Sequence, residues 1–442
     1  MRIVEERSYD LVVCGCGVAG FCAAVQGARA GLRTAVVERY EMPGGILTVM
    51  GNNDVAQFFA HHRQVIRGIG WEFVSRLARM GYAEIPDKMR DGPHWIYGVH
   101  VNIPAAAYLM DTMLTEAGVD LYYGQPVIDA ETEPSGDGAH PVRLTGVLIA
   151  SKEGVRRLAA RYVIDATGDG DVSVYAGASF ECGDPDSEDG FLQPGTLRFY
   201  LEESGLSPTE IRRVDEAMRT AAAASAPLPD DLRGIPYSRM LAKRGNNLGH
   251  VSGFNAAQSD ARTASQVRGR AAVFHLQEAL RRCGVPGGDY SPIGVIAPEV
   301  GVRETRRIEC DGRMTAEWYI AGYEYPDAVC TSFYPIDLHR TGSRGIRQIF
   351  LTDGQLPTVP LSALLVRHAT NLLVAGRCAC GDRLANSAYR VKASCMAMGQ
   401  AAAACAAVAH RHGAALRDAD LEEIRALLRE NGAIVTAADV TD

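Results

Sequence analysis

The 442-residue chain, 47% hydrophobic and 22% charged, is long enough for two or three domains with substantial cores. Its formal net charge of -8 offers no electrostatic footprint for nucleic acid, so no nucleic-acid partner is expected. The opening residues carry no signal-like apolar region, and no stretch approaches the roughly 18–20 apolar residues of a bilayer span, which predicts a cytoplasmic protein without membrane contact. Eleven cysteines lack any C-x-x-C pair; Cys14/Cys16 and Cys378/Cys380 form C-x-C pairs only. They read as reduced, mostly buried side chains, and no metal or iron–sulfur centre is predicted.

In chain order, the apolar run Tyr9 to Cys14 predicts a buried parallel strand. An Ala-rich helix follows over Val18 to Ala30, closed by Gly31, and then a second strand over Leu32 to Glu38. From Asn52 to Met80 the spacing of Val55, Phe58, Phe59, Phe73, Val74 and Leu77 predicts helix. Pro104 to Ala117 reads as another helix. Short strands follow at 121–123, 127–130, 142–150 and 161–164, with 131–141 an exposed hairpin connection. Residues 208–287 read as mainly helical, interrupted around Pro227 to Tyr237, and 293–350 as strand-like. A buried strand at 372–375, a long helix over about 389–409 and an amphipathic helix at 421–428 close the chain. The expected architecture is α/β. A discontinuous Rossmann-like nucleotide domain with a parallel sheet and a βαβ unit (residues 1–55, 96–200 and 355–442) carries an inserted α+β cap or substrate domain (56–95 and 201–354).

Gly15-Cys16-Gly17-Val18-Ala19-Gly20 fits G-x-G-x-x-G between strand and helix. Gly15 permits the tight turn, Gly17 admits a pyrophosphate against the backbone, and Gly20 lets helix and strand approach. The helix N-terminus offers unpaired N–H groups to the phosphates. Glu38 ends the second strand, where a carboxylate accepts from ribose hydroxyls and disfavours a 2′-phosphate. The glycines alone would be weak evidence; with strand, helix and acid in place they predict a dinucleotide site.

Three further segments make the site specific: Arg39 to Gly44-Gly45, then Asp165-Ala166-Thr167-Gly168-Asp169-Gly170-Asp171, then Asn371 to Gly376-Arg377. In this order they resemble the motifs of the FAD-binding glutathione-reductase-type superfamily. Gly301 to Arg307, Tyr334 to His339 and Arg390 to Ala402 resemble a broad, heterogeneous bacterial family of FAD-dependent oxidoreductases. The resemblance implies FAD held by Gly15, Gly17, Val18, Ala19, Gly20, Glu38, Arg39, Gly44, Gly45, Val127, Ala166, Thr167, Gly168, Gly376, Arg377, Arg390 and Val391. Many superfamily members place an acid after the third-motif glycine to bind the ribityl chain, whereas this sequence has Arg377. Asp382 or a backbone group is the expected substitute. Gly44-Gly45 is not followed by the cysteine pair of flavin disulfide reductases, and no second G-x-G-x-x-G marks a nicotinamide domain. Electrons would therefore pass between substrate and oxygen, a quinone or another carrier.

Flavin chemistry requires a base and positive potential near N1–C2=O. The helix beginning near Arg390, with Arg390 and Lys392, is expected to supply the potential. His339 is the favoured base, with Tyr334 and Asp337 orienting it or binding substrate; His100, His250 and Tyr389 are alternatives. Arg303 and Arg306 either clamp a substrate carboxylate or phosphate, or belong to an interdomain salt-bridge network with Arg307. Tyr237, Asn246 and Asn247 fall in the cap region and could face the pocket. A flavin–thiol bond or relay at Cys378 or Cys380 is the alternative to simple burial. The leading functional expectation is an FAD-dependent dehydrogenase or oxidase, moving hydride from a CH–OH, CH–NH or CH–CH group of a small metabolite to flavin N5. A fumarate-reductase-like reduction of an activated double bond is the second expectation. A flavin-dependent RNA-modification or binding protein is the third, disfavoured by the acidic balance. Homo-oligomerisation is left open.

Overall fold

A computed structural model describes residues 2–89, 91–184, 186–188, 191–201, 207–223, 238, 250–282, 293–340 and 345–441. Tyr237, Asn246, Asn247 and the Pro227–Tyr237 interruption lie outside the described residues.

The labelled elements are β1 (Ile3–Cys14), α1 (Val18–Arg29), β2 (Thr34–Val37), α2 (Ile69–Arg79), α3 (Ile103–Glu116), β3 (Asp120–Tyr122), β4 (Val127–Pro134), β5 (Val142–Ser151) and β6 (Gly154–Asp165). Then come α4 (Ser259–Arg282), β7 (Arg306–Ile308), β8 (Ile336–His339), β9 (Ile346–Ile349), β10 (Leu372–Val374), α5 (Arg383–Tyr389), α6 (Lys392–His412) and α7 (Leu421–Glu430). One seven-stranded sheet runs β3-β2-β1-β6-β5-β4, and β10 pairs with the end of β6. β3, β2, β1, β6 and β10 run parallel to one another, whereas β5 pairs antiparallel with the first half of β6 and β4 antiparallel with β5.

The apolar ends of these strands set the register. Leu11 to Cys14, Val163 to Asp165 and Leu372 to Val374 are buried on both faces, as parallel strands between helix layers are. Cys14 pairs with Val37 and Asp165, and Asp165 pairs with Val374. Four strands thus end at one level, and the loops after them gather at the carboxyl edge of the sheet, where open α/β sheets bind ligands.

The Ala-rich α6 is buried from Lys392 to Ala409 and lies against α1. The approach is backbone to backbone: a Cβ on Gly399 would fall 2.0 Å from the Ala19 carbonyl oxygen. Small residues on α6 are the reason the two helices can touch so closely.

One expected helix differs. Between Asn52 and Gly68 the chain forms short strands, Asp54–Val55, Phe59–Ala60 and Arg63–Gln64, and helix begins only at Ile69. Phe58 and Phe59 both pack edge-on to Trp71 at 5.3 Å between ring centroids, so tertiary contact, not helical periodicity, spaced them. The long helix expected over about 389–409 is α6, Lys392–His412; before it the short α5, which the sequence reading does not include, ends at Tyr389, Val391 is extended (ψ 155), and the two helices meet at 93°. No Gly or Pro marks this break, which turns Arg390 and Lys392 into the molecule. Within 293–350, which reads as strand-like, a helix, Ala316–Ala321, is interposed.

Among the described residues no single helix is long and apolar enough to cross a membrane, and no cluster of His, Cys, Asp or Glu could hold a metal. The described cysteines are free.

Candidate active site

The phosphate loop is defined by what its glycines exclude. Gly15 has φ +94, donates its N–H to the Val37 carbonyl (2.7 Å), and has no room for a Cβ, which would lie 2.5 Å from the Ala166 oxygen. A Cβ on Gly20 would lie 1.8 Å from the Gly15 oxygen. Gly17 is the opposite case: nothing stands within 4 Å of its Cβ position. It is the N-cap of α1 without a side-chain cap, so the first-turn N–H groups face open space.

The partner loops lock onto this turn. Gly44 donates to the Cys16 carbonyl (2.7 Å), and Gly45 lies against Gly17. The buried Glu38 carboxylate accepts from the Cys16 N–H (2.7 Å) and the Tyr40 N–H (3.1 Å). Burial pushes its carboxyl up to about 7, the Cys16 backbone N–H and the charge and backbone N–H of Arg39 opposing that rise. Asp165 holds the next loop by accepting from the N–H and hydroxyl groups of both Thr167 and Ser173 (2.7–3.1 Å). Arg377, after Gly376 (φ +90), donates to Asp169 (2.7 Å) and Thr305 (2.6 Å). Asp169 also pairs with Arg262 (3.4 Å) of α4. Arg262 pairs in turn with Glu299, which accepts from Arg39 (2.9 Å). This chain of ion pairs ties the second-strand loop to α4.

A cavity of about 1800 Å³ opens from these loops, larger than the roughly 300–1,000 Å³ of a usual small-molecule site. It has room for an extended cofactor and a second molecule. Gly15, Gly17, Val18, Ala19, Glu38, Arg39, Gly45, Val127, Ala166, Thr167, Gly168, Gly376, Arg377, Arg390 and Val391 line it. So do Arg303, Arg306, Tyr334, Asp337 and His339. Gly20 and Gly44 lie behind the lining and shape it. Asp382 is not brought to the cavity: it caps α5, accepting from the Ala385 N–H (2.8 Å) and the Ala316 N–H (2.6 Å). Its carboxylate is already engaged, so it does not replace the acid missing at Arg377.

At the other end of the cavity β8 presents Asp337 and His339, two residues apart and therefore on one strand face. His339 Nε2 lies 3.2 Å from Asp337 Oδ2. Burial, with the Arg303 charge, drives the imidazole down to about 3, so it is neutral at ordinary pH. Burial alone would raise Asp337, but the bonds from His339 and Gln348 and the charge of Arg390 hold it ionised, at about 2. Burial raises the Tyr334 phenol and keeps it protonated.

The Arg303 to Arg307 segment divides its work. Arg303 lines the cavity, donating to Pro194 O (2.6 Å), Thr196 Oγ1 (2.8 Å) and His250 Nε2 (3.3 Å). Arg306 touches the cavity but is bonded to Asp171 (2.8 Å) and the Asp169 carbonyl (3.1 Å). Arg307 is turned inward to Glu304 (3.1 Å). Among the alternative bases, His100 lines the cavity, and the His250 ring lies 5.4 Å from that of His339. Tyr389 is fully buried with its hydroxyl on the Ala379 carbonyl (2.9 Å). Cys378 and Cys380 do not line the cavity; Cys395, which the sequence did not single out, does. Asp54, Arg198, Arg262 and Glu299 also line it without any motif to announce them.

A parallel α/β sheet carrying a glycine phosphate turn, an acidic residue at the second strand end and a cavity for an extended cofactor defines a dinucleotide-binding enzyme. Residues 10–428 match the family model described as FAD dependent oxidoreductase, and the chain belongs to that family. It is an oxidoreductase and its cofactor is FAD. The open space at Gly17, the uncapped α1 and the Glu38 carboxylate fit that group. No curated protein matches the sequence. Among solved structures it is similar to THI4 from Thermovibrio ammonificans (19% identity, 39% of this chain and 64% of that one, TM-score 0.29). It is similar to a geranylgeranyl bacteriochlorophyll reductase-like protein from Thermoplasma acidophilum (12%, 96% and 83%, 0.43). A third is OxyS anhydrotetracycline hydroxylase from Streptomyces rimosus (15%, 96% and 66%, 0.43). The chain spans about two thirds of the length of the first and third of these.

Proposed function

We propose that the enzyme dehydrogenates a small metabolite at a CH–OH, CH–NH or CH–CH group, with His339 as the base. The observation that carries this reading is the buried His339–Asp337 pair on the cavity wall (3.2 Å). With its Nε2 proton directed at Asp337, the neutral imidazole keeps a lone pair on Nδ1 for the substrate proton. Asp337 then stabilises the imidazolium that forms, as an orienting carboxylate does. FAD, when bound, supplies the hydride acceptor at N5. Arg390, Lys392 and the α6 N-terminus supply positive potential at this end of the cavity.

The same reading takes the protein as a cytoplasmic bacterial enzyme of the glutathione-reductase-type superfamily. Its discontinuous FAD domain (1–55, 96–200, 355–442) would carry an inserted cap, and oxygen, a quinone or another carrier would accept its electrons. Anaerobic titration of the holoenzyme with alcohol, amine and acyl-chain panels tests it: the correct substrate bleaches the flavin. Failure of every panel, together with rapid reoxidation of reduced enzyme by unsaturated acids, would replace dehydrogenation with double-bond reduction.

A further inference from the structure

We infer that the substrate carries an apolar ring, which lies on Trp95 and Ile346 at the mouth of the cavity while its reacting end reaches His339. The inference rests on the reading above in taking His339 as the place of the chemistry.

The β8–β9 hairpin fixes the arrangement. His339 pairs with Ile346 and Asp337 with Gln348 across the antiparallel strands. The side chains of each pair therefore stand on one face, and all four residues line the cavity. Their depths differ. His339 is 6% exposed and Ile346 is 46% exposed. One step across the hairpin thus leads from the buried His339–Asp337 pair to an apolar side chain open to water. Phe350, two residues beyond Gln348 and 56% exposed, continues the row.

A second segment meets this row. The short helical turn His94–Tyr97 sets the His94 ring edge-on to Tyr334 (5.1 Å between centroids) and tilted against Phe350 (5.7 Å). Beside it Trp95 lines the cavity with 61% of its surface exposed, its ring edge-on to His94 (5.3 Å). His94 therefore joins Trp95 to the hairpin that carries His339.

An exposed Trp or Ile by itself calls for no ligand. Here both line the cavity that holds the His339–Asp337 pair, and apolar groups gathered on a concave site mark a binding surface. Charge does not discriminate in this cavity: Asp54, Glu84 and Lys392 all line it, so either sign finds a counterpart. The mouth offers apolar area that a bound ring would remove from water. The flat indole favours an aromatic ring over an aliphatic group, because aromatic pairs gain beyond the area they bury. A rigid ring also surrenders no rotamer freedom.

The test is calorimetric titration of oxidised holoenzyme with three neutral amides that carry no dehydrogenable bond: acetamide, pivalamide and benzamide. Benzamide is expected to bind at least about tenfold more tightly than acetamide and at least about twofold more tightly than pivalamide. Trp95→Ser and Ile346→Ser together should weaken benzamide at least about tenfold at unchanged flavin content. Both positions are exposed, so folding should be little affected. Acetamide or pivalamide binding as well as benzamide, or full benzamide affinity in the double variant, would overturn the inference. A dimer dissociated by that variant, with benzamide affinity kept, would give the surface to a second copy of the chain instead. Ring binding without bleaching by any substrate panel would keep the ring site and count against dehydrogenation alone. Bleaching by acyclic substrates only would keep dehydrogenation and overturn the ring.

Discussion

At the Gly15–Gly20 end of the cavity the working groups are backbone, and at the His339 end they are side chains. The first end needs glycine where a Cβ would collide, as at Gly15 and Gly20, and where a ligand must approach, as at Gly17. The second draws Asp54, Arg303, Asp337, His339, Arg390 and Lys392 from separate stretches of chain. A site made of backbone fails when atoms are added, whereas one made of side chains fails when they are removed. Substitutions at the two ends should therefore separate flavin retention from chemistry.

The largest effect is expected where the added atom meets backbone. In Gly20→Val the Cβ would stand 1.8 Å from the Gly15 oxygen, a clash that should cost more than about 3 kcal/mol and abolish folded, flavin-bearing protein. Gly17→Ala is its control, since its Cβ meets nothing within 4 Å. Its stability should stay within about 0.5 kcal/mol, while flavin affinity falls about tenfold or more. Equilibrium unfolding and flavin-to-protein ratios measure both. Full flavin affinity in Gly17→Ala would break the backbone half of the comparison.

His339→Gln should behave in the opposite way, keeping its flavin while anaerobic reduction slows by about tenfold or more, less than for a base whose pKa lies near the working pH, because burial holds this one well below it. The pH dependence has a definite sign. A base works unprotonated, and burial holds His339 at about 3, so reduction should lose nothing to its protonation between pH 7 and pH 5. An ordinary histidine, near 6.5, would lose more than about tenfold over that range. An acid limb near 6.5 in stopped-flow reduction would remove His339 from the role.

Glu38 sits between the two regimes, a side chain fastened to the phosphate turn. Its native carboxyl is raised from 4.5 to about 7 by burial, so between those pH values the native state keeps a proton that the unfolded chain releases. Its contribution to stability therefore falls as pH rises from 4.5 to 7. At about 1.4 kcal/mol per pH unit this amounts to about 3 kcal/mol. In flavin-free protein Glu38→Gln should flatten that slope, measured by denaturant unfolding at several pH values. An unchanged slope would show that Glu38 is ionised throughout.

The same contrast explains what the sequence reveals. Gly15, Gly17, Gly20, Glu38, Gly45, Gly168 and Gly376 are legible because backbone geometry demands a residue type at a fixed spacing, and all but Gly20 line the cavity. Asp54, Arg198, Arg262 and Glu299 are not legible, since nothing local distinguishes a buried cation or acid from a surface one. The break at Val391 is hidden for a related reason: Ser387 to Ala397 contains no Gly or Pro, and packing alone turns the chain. The apparent helix at Val55, Phe58 and Phe59 is the converse error, in which contacts to Trp71 imitate a helical period.

Asp382 offers the smallest and most discriminating test, because sequence and structure assign it different work. As the missing ribityl acid, its loss would deplete flavin. As the cap of α5, with its carboxylate on the Ala385 and Ala316 N–H groups, its loss should cost about 1 kcal/mol of stability. Asp382→Ala is therefore expected to lower the unfolding free energy slightly at an unchanged flavin ratio, and Asp382→Asn to restore part of it, since Asn also caps well. Flavin loss at full stability would return the residue to the cofactor. It would also mean that the end built of backbone needs one side chain that its glycines do not announce.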